Sequence, residues 1–196
     1  MIRAKISSDF ETLDKLNKIY PWIPNSISIR PSPEDIERKK QFSLQIQSEW
    51  KSYRDYVYCK IFQQRHYVDN DYKKFVRPEH FKPRPEWCFQ PSMFRYNLIP
   101  DSNHYVLWNS EHDFDHNFPD EIINEIITKR LFNHLILGAP FQFVWYKNPK
   151  PTISEFFHVQ VFWISGVNKT NIDKYVEIPN NQINHINQIN HINQIN

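Results

Sequence analysis

Four prolines fall between residues 77 and 91, in RPEHFKPRPEWCFQP, and they divide the chain into two parts of different character. Proline fixes φ and carries no backbone donor, so a segment this rich in it is expected to form no regular element. Ahead of it, apolar residues recur at helical spacing. Behind it, they crowd into short β-branched and aromatic runs. Helices followed by a strand–helix–strand–strand order define an α+β domain, with N-terminal helices packed on a small, mainly antiparallel sheet.

In the helical part, residues 9–18 carry Phe10, Leu13 and Leu16 three apart and stop near Pro21. The segment PWIPNSISIRPSP reads as extended. Ser32-Pro33-Glu34-Asp35 then starts a helix, with a hydroxyl cap, proline at the first helical position and acids at the positive dipole end. Ile36, Ile46, Trp50, Tyr53, Val57 and Ile61 predict one helix running to about Phe62 and burying that stripe, with Lys39, Lys40 and Ser43 exposed. In the second part, strands are expected over residues 105–108, 141–146 and 156–164. Pro119, Asp120 and Glu121 open a helix between the first two. Its apolar face is Ile122, Ile123, Ile126, Ile127, Leu131 and Leu135, and Gly138 and Pro140 close it.

From Asn181 the chain reads NQINHINQINHINQIN, with isoleucine at every third position. That period matches neither a strand nor an α-helix, and Asn/Gln-rich repeats of this kind are disordered and prone to aggregate. The reading is one domain over residues 1–178 and a disordered repeat tail over 179–196. His185 and His191 belong to the repeat.

The bulk properties exclude several function classes. Aromatics make up 16% of the 196 residues, enough to build a core. Residues 1–90 hold 17 basic and 12 acidic side chains and residues 91–196 hold 7 and 10, so no dense basic stripe marks a dedicated nucleic-acid binder. Runs such as 38–40 and 73–74 read as solvated helix faces. Cys59 and Cys88 read as free thiols in a reducing, cytoplasmic setting. MIRAKISSDFETLDK has no signal-peptide core, and no apolar run reaches the ~20 residues of a membrane span, so no membrane partner is expected. With only two glycines a phosphate-cradling loop is not expected, and no motif calls for a cofactor.

Three stretches could carry chemistry. In HYVLWNSEH a histidine, His104, enters a short strand and His112 follows eight residues later; alternation places His104, Val106 and Trp108 on one face. In FFHVQVFW, Phe156, His158, Gln160 and Phe162 share a face. Two polar side chains two apart in so apolar a strand need partners if buried, or else they face a ligand. Residues 111–116, EHDFDH, crowd imidazoles and carboxylates as a divalent metal would require. The same stretch precedes a helix, where such residues cap and form turns; no specific metal pattern is present, and no metal is assigned. Arg95, Tyr96 and Asn97 lie just before the His104 strand, and Lys147, Asn148 and Lys150 just before the His158 strand. If those strands are neighbours the six could form an anion-binding rim, although Asn148-Pro149-Lys150-Pro151 also reads as a plain turn with exposed lysines.

The order of these motifs resembles the fungal N-acetylglucosamine-induced proteins, a family to which no reaction is assigned. The likeness covers roughly residues 10–165 and rests on SISIRPSPEDIERKKQ, EWKSYRDYVYCKIF, FRYNLIP, HYVLW, FVWYKNPKPTIS and HVQVFW. A departure is Tyr96-Asn97-Leu98-Ile99-Pro100, where that family tends to have an Asn-Asp/Phe-Pro-Tyr-like turn.

A remoter likeness is to the histidine-triad nucleotide hydrolases and transferases. It rests on the run from His104 to His112, the following helix, Asn148 and the strand with His158. It implies nucleotidyl transfer through a covalent histidine intermediate. The triad is broken here. If His158 is the central residue it attacks, flanked by Phe156 and Gln160; if it is the first histidine, Gln160 holds the nucleophile's place and the protein binds without reacting.

Three functions follow from these readings. The first is a binder or enzyme for a nucleotide or sugar phosphate, centred on His104, His158 and Gln160, with Arg95, Asn97, Trp108, His112 and Asn148 as ligand contacts. The second is a non-catalytic regulatory or scaffold protein with a protein partner, in which His104 and His158 are separately buried and hydrogen-bonded. The third is a metal-dependent hydrolase built on residues 111–116.

Overall fold

The computed structural model describes residues 3–5, 10–134, 141–148 and 151–165. The fold is α+β. Its elements run β1 (Arg3–Lys5), α1 (Phe10–Ile19), α2 (Pro33–Glu49), α3 (Tyr53–Lys60), β2 (His66–Val68), β3 (Lys74–Val76), β4 (Trp87–Pro91), β5 (Asn103–Asn109), α4 (Asp120–His134), β6 (Phe141–Tyr146) and β7 (His158–Ser165). Five strands form one sheet in the order β1-β6-β7-β5-β4, while β2 and β3 pair separately as an antiparallel ribbon. Within the larger sheet, among the described residues, β1 and β6 pair in parallel and the other neighbours pair antiparallel.

The helix expected to run from Pro33 to about Phe62 is two helices. Its start is as read: Ser32 Oγ accepts from the Asp35 backbone N–H at 3.1 Å. It ends at Glu49 because Ser52 and Asp55 repeat the same start signal. Trp50 turns to extended backbone, Lys51 N–H donates to the Lys74 carbonyl at 2.9 Å, and Ser52 Oγ accepts from Asp55 N–H at 3.0 Å to begin α3. The buried stripe is correspondingly shorter. Ile46, Trp50, Val57 and Ile61 are buried, but Tyr53 is half-buried and Ile36 is 56% exposed.

The proline-rich segment holds regular structure after all. Pro78–His80 is a single 3₁₀ turn, and β4 takes the last five residues. Pro91 is tolerated there because β4 is the outermost strand, where a missing donor faces no neighbour. The three-residue strands β1, β2 and β3 carry no alternating apolar run long enough to announce them.

The two faces of the sheet are covered differently. Leu107, Phe143, Trp145, Phe157, Val159 and Val161 pack under Ile123, Ile127 and Leu131 of α4, each side chain with almost no exposure. Ile122, expected on that apolar face, is 42% exposed. On the opposite face Val144, Tyr146 and Phe162 meet Leu13, Ile23 and Ile29, while Val57, Tyr58, Ile61 and Phe62 gather with Phe156 and Val76. Between those two clusters the sheet is not filled by side chains. The expected contributions of Leu135, Gly138, Pro140 and the 179–196 tail lie outside the described residues.

Candidate functional site

The strands β5 and β7 are antiparallel neighbours, and their register pairs His104 with Phe162, Val106 with Gln160 and Trp108 with His158. Paired residues project to the same side of a sheet, so His104, Val106, Trp108, His158, Gln160 and Phe162 all lie on the face away from α4. A cavity of about 400 Å³ opens between this face and the helices α2 and α3, a size in the range of small-molecule sites. Val106, Trp108, His158 and Gln160 form its floor. Helix α2 roofs it with Ile36, Phe42, Ser43 and Ile46, and the exposed Lys39 and Lys40 stand at its mouth.

The hydrogen bonds fix the polarity of the floor. The Tyr96 backbone N–H donates to His104 Nδ1 at 3.3 Å, so the proton of this imidazole sits on Nε2. Nε2–H donates to Gln160 Oε1 at 2.6 Å. That bond occupies the oxygen of the Gln160 amide and leaves its NH₂ group as the donor at the cavity. The His104 ring is stacked between Tyr96 (4.7 Å) and Phe162 (4.8 Å). Burial holds its pKa down at about 4, partly opposed by the Gln160 bond and assisted by the charge of Arg95. His104 is therefore a neutral residue with both nitrogens engaged.

His158 is held the other way round. A carbonyl can only accept, so the 3.0 Å contact between Nδ1 and the Phe156 carbonyl places the proton on Nδ1. Nε2 keeps its lone pair. Burial lowers the pKa of this imidazole too, opposed by the Phe156 bond and assisted by Lys39. Its ring stacks on Trp108 at 4.6 Å. Trp108 Nε1 is buried with no hydrogen-bond partner among the described residues. The floor thus presents a neutral acceptor, His158 Nε2, beside a neutral donor, the Gln160 NH₂.

The cavity gathers His158, Gln160, Trp108 and Asn148 from the residues singled out in the sequence. His104 stands behind Gln160 and orients it. Arg95 and Asn97 are exposed and line no part of the cavity. His112 is also exposed, with its ring against Phe118 on the α4 side of the sheet. The rim expected from residues before both strands is reduced to Tyr96 and Asn148, while Lys147 instead donates to the His116 and Phe118 carbonyls and pairs with Asp120. Lys150 lies outside the described residues.

In the 111–116 stretch, Glu111 pairs with Arg84, Asn109 Oδ1 accepts from the Glu111 and His112 backbone N–H groups, and Asp115 Oδ1 accepts from Asn117 N–H. The Asn109 and Asp115 contacts are turn interactions, and the Glu111 contact is an ion pair. Among the described residues no three His, Cys, Asp or Glu side chains converge as metal ligands. What sequence reasoning missed is the roof: Phe42, Ser43, Tyr53, Tyr56, Met93 and Phe94 all line the cavity. The exposed start of α2, with Ile36 between charges, was the available signal.

No protein-family model matches the chain, and no curated protein matches it. Among solved structures it is similar to the crystal structure of HTC1, at 16% identity, covering 74% of this chain and 85% of that one, with a TM-score of 0.40. Among the described residues no helix is long and apolar enough to cross a membrane.

Proposed function

We propose that this protein binds a small anionic metabolite, a nucleotide or a sugar phosphate, in the cavity between the sheet and α2. The observation that carries the reading is the floor itself: two uncharged polar groups, His158 Nε2 and the Gln160 NH₂, facing a mostly apolar, aromatic-lined cavity with lysines at its mouth. Sites for small molecules have this composition, a few convergent polar groups in an apolar cleft. The resemblance to the fungal N-acetylglucosamine-induced family and a cytoplasmic location are part of the same proposal. If turnover accompanies binding, His158 is the nucleophile available for phosphoryl or nucleotidyl transfer, because its Nε2 lone pair is free while His104 has none.

A second reading, a non-catalytic scaffold acting through protein contacts, is favoured by one observation. His104 has both nitrogens satisfied within the fold, as a purely structural histidine would.

A thermal-shift screen of nucleotides and sugar phosphates, run on the full chain and on His158→Ala, separates the two. A ligand that binds only the folded state raises the melting temperature by mass action. The expected result is a shift in the wild type that is lost in the variant. No shift with any compound, in a protein that melts cooperatively, would leave the scaffold reading standing alone.

A further inference from the structure

The cavity discriminates between the two ligand classes proposed above, and by more than size. Its inner end carries no charge. Burial lowers the pKa of both histidines of the floor face, which favours their neutral form, and among the described residues no arginine lines the cavity. A phosphate placed there would be stripped of water with only single neutral donors to replace it, which is strongly unfavourable. The cationic groups, Lys39 and Lys40, stand at the mouth. The inner walls are flat and aromatic, with Trp108 beside His158 and Tyr56 and Phe42 edge-to-face at 5.6 Å in the roof.

We infer that the ligand is a planar heterocycle that enters ring first, presents a hydrogen-bond donor beside an acceptor to the floor, and leaves its anionic end at Lys39 and Lys40. The ring's donor meets His158 Nε2, and its acceptor meets the Gln160 NH₂. These two side chains lie two residues apart on one strand, roughly 7 Å at the backbone, and on the same face, so both look into the one cavity and a single ring lying along the strand can reach both. His104 makes the reading directional. By taking the Gln160 oxygen, it prevents the amide from turning over and offering an acceptor instead. A lactam edge, a ring N–H next to a C=O, satisfies both groups; a sugar phosphate has no flat edge to offer. The inference rests on the cavity being a ligand site, and it recasts His158 as a group that reads the ring rather than one that attacks phosphorus.

The test is titration calorimetry on the full chain with four probes: uridine 5′-monophosphate, orotate, N3-methyluridine 5′-monophosphate and ribose 5-phosphate. The first two share a uracil edge but differ in the anion they carry. They should both bind. Methylation of N3 removes the donor that His158 needs and should weaken binding about 10-fold or more, the usual effect of leaving a buried polar group unpaired. Ribose 5-phosphate should bind weaker still. Gln160→Glu keeps the acceptor for His104 and the side-chain shape but replaces the donor, and should weaken uridine 5′-monophosphate by a similar factor.

Ribose 5-phosphate binding as tightly as uridine 5′-monophosphate, or indifference to N3 methylation, would overturn the edge-reading inference while leaving the ligand site intact. Binding of none of the four would overturn both.

Discussion

At the residue scale, the period-two spacing of HYVLW and HVQVFW was enough to place His104, Val106 and Trp108 together, and His158, Gln160 and Phe162 together. It could not say that the two triplets share a face, because that depends on the register between strands far apart in the chain. Nor could it pair Gln160 with His104 rather than leave it beside His158. That pairing has a measurable consequence. In the fold the His104 imidazole stays neutral down to about pH 4, whereas in the unfolded chain it takes up a proton near 6.5. Between those values the unfolded state binds more protons, so stability rises with pH. The contribution is complete above about 6.5 and is lost as pH falls toward 4, amounting to about 3 kcal/mol. His104→Gln retains a donor for Gln160 but has no titrating ring. Denaturant unfolding at pH 7, 5.5 and 4.5 should show wild-type stability falling more steeply than that of the variant, by most of this amount. Parallel pH profiles would mean that His104 is not held neutral by the fold.

At the scale of elements, the N-termini of α2 and α4 are legible in the sequence, because acidic first turns and proline at the helix start are local signals. Their environments were not legible. The chain shows nearly as many apolar residues at helical spacing in α2 and α3 as in α4, but only the tertiary structure reveals that α4 rests on a filled core and α2 on a cavity. Among described side chains of α2, only Ile46 is buried, against Ile123, Ile127 and Leu131 with no exposure in α4. Isolated helices of this length are marginal in water, and packing of an apolar face supplies most of their stability. The amides of residues 36–44 should therefore exchange at neutral pH at least about 100-fold faster than those of residues 123–131, through local opening of α2 about its Trp50–Ser52 break. Hydrogen exchange read by mass spectrometry decides this. Equal protection of the two helices would mean that contacts other than Ile46 anchor the roof.

At the scale of the molecule, the α+β architecture follows from the segregation of helical and strand patterns, whereas the strand order and the cavity arise from nonlocal pairings that no segment encodes alone. The outcome is a sheet with two unequal sides. Val106 and Val159 lie on the same sheet, in adjacent strands and one register step apart, yet face opposite environments: Val106 looks into the cavity and Val159 into the packed core beneath α4. An identical change at both sites should then have different costs. Val159→Phe forces extra volume into a close-packed interior and should destabilise by about 1–3 kcal/mol or more. Val106→Phe has open space to enter and should remain within about 1 kcal/mol of the wild type, because added apolar burial offsets any strain. It should also abolish any ligand-induced rise in melting temperature, since the ring would occupy the ligand's place. Chemical denaturation of the two variants, followed by the thermal-shift assay on the stable one, measures both effects. Equal destabilisation would mean that the space above Val106 is not available to a side chain or to a ligand, and the small-molecule reading would lose its physical basis. A stable Val106→Phe protein blind to every compound that shifts the wild type would instead fix the ligand to this face of the sheet.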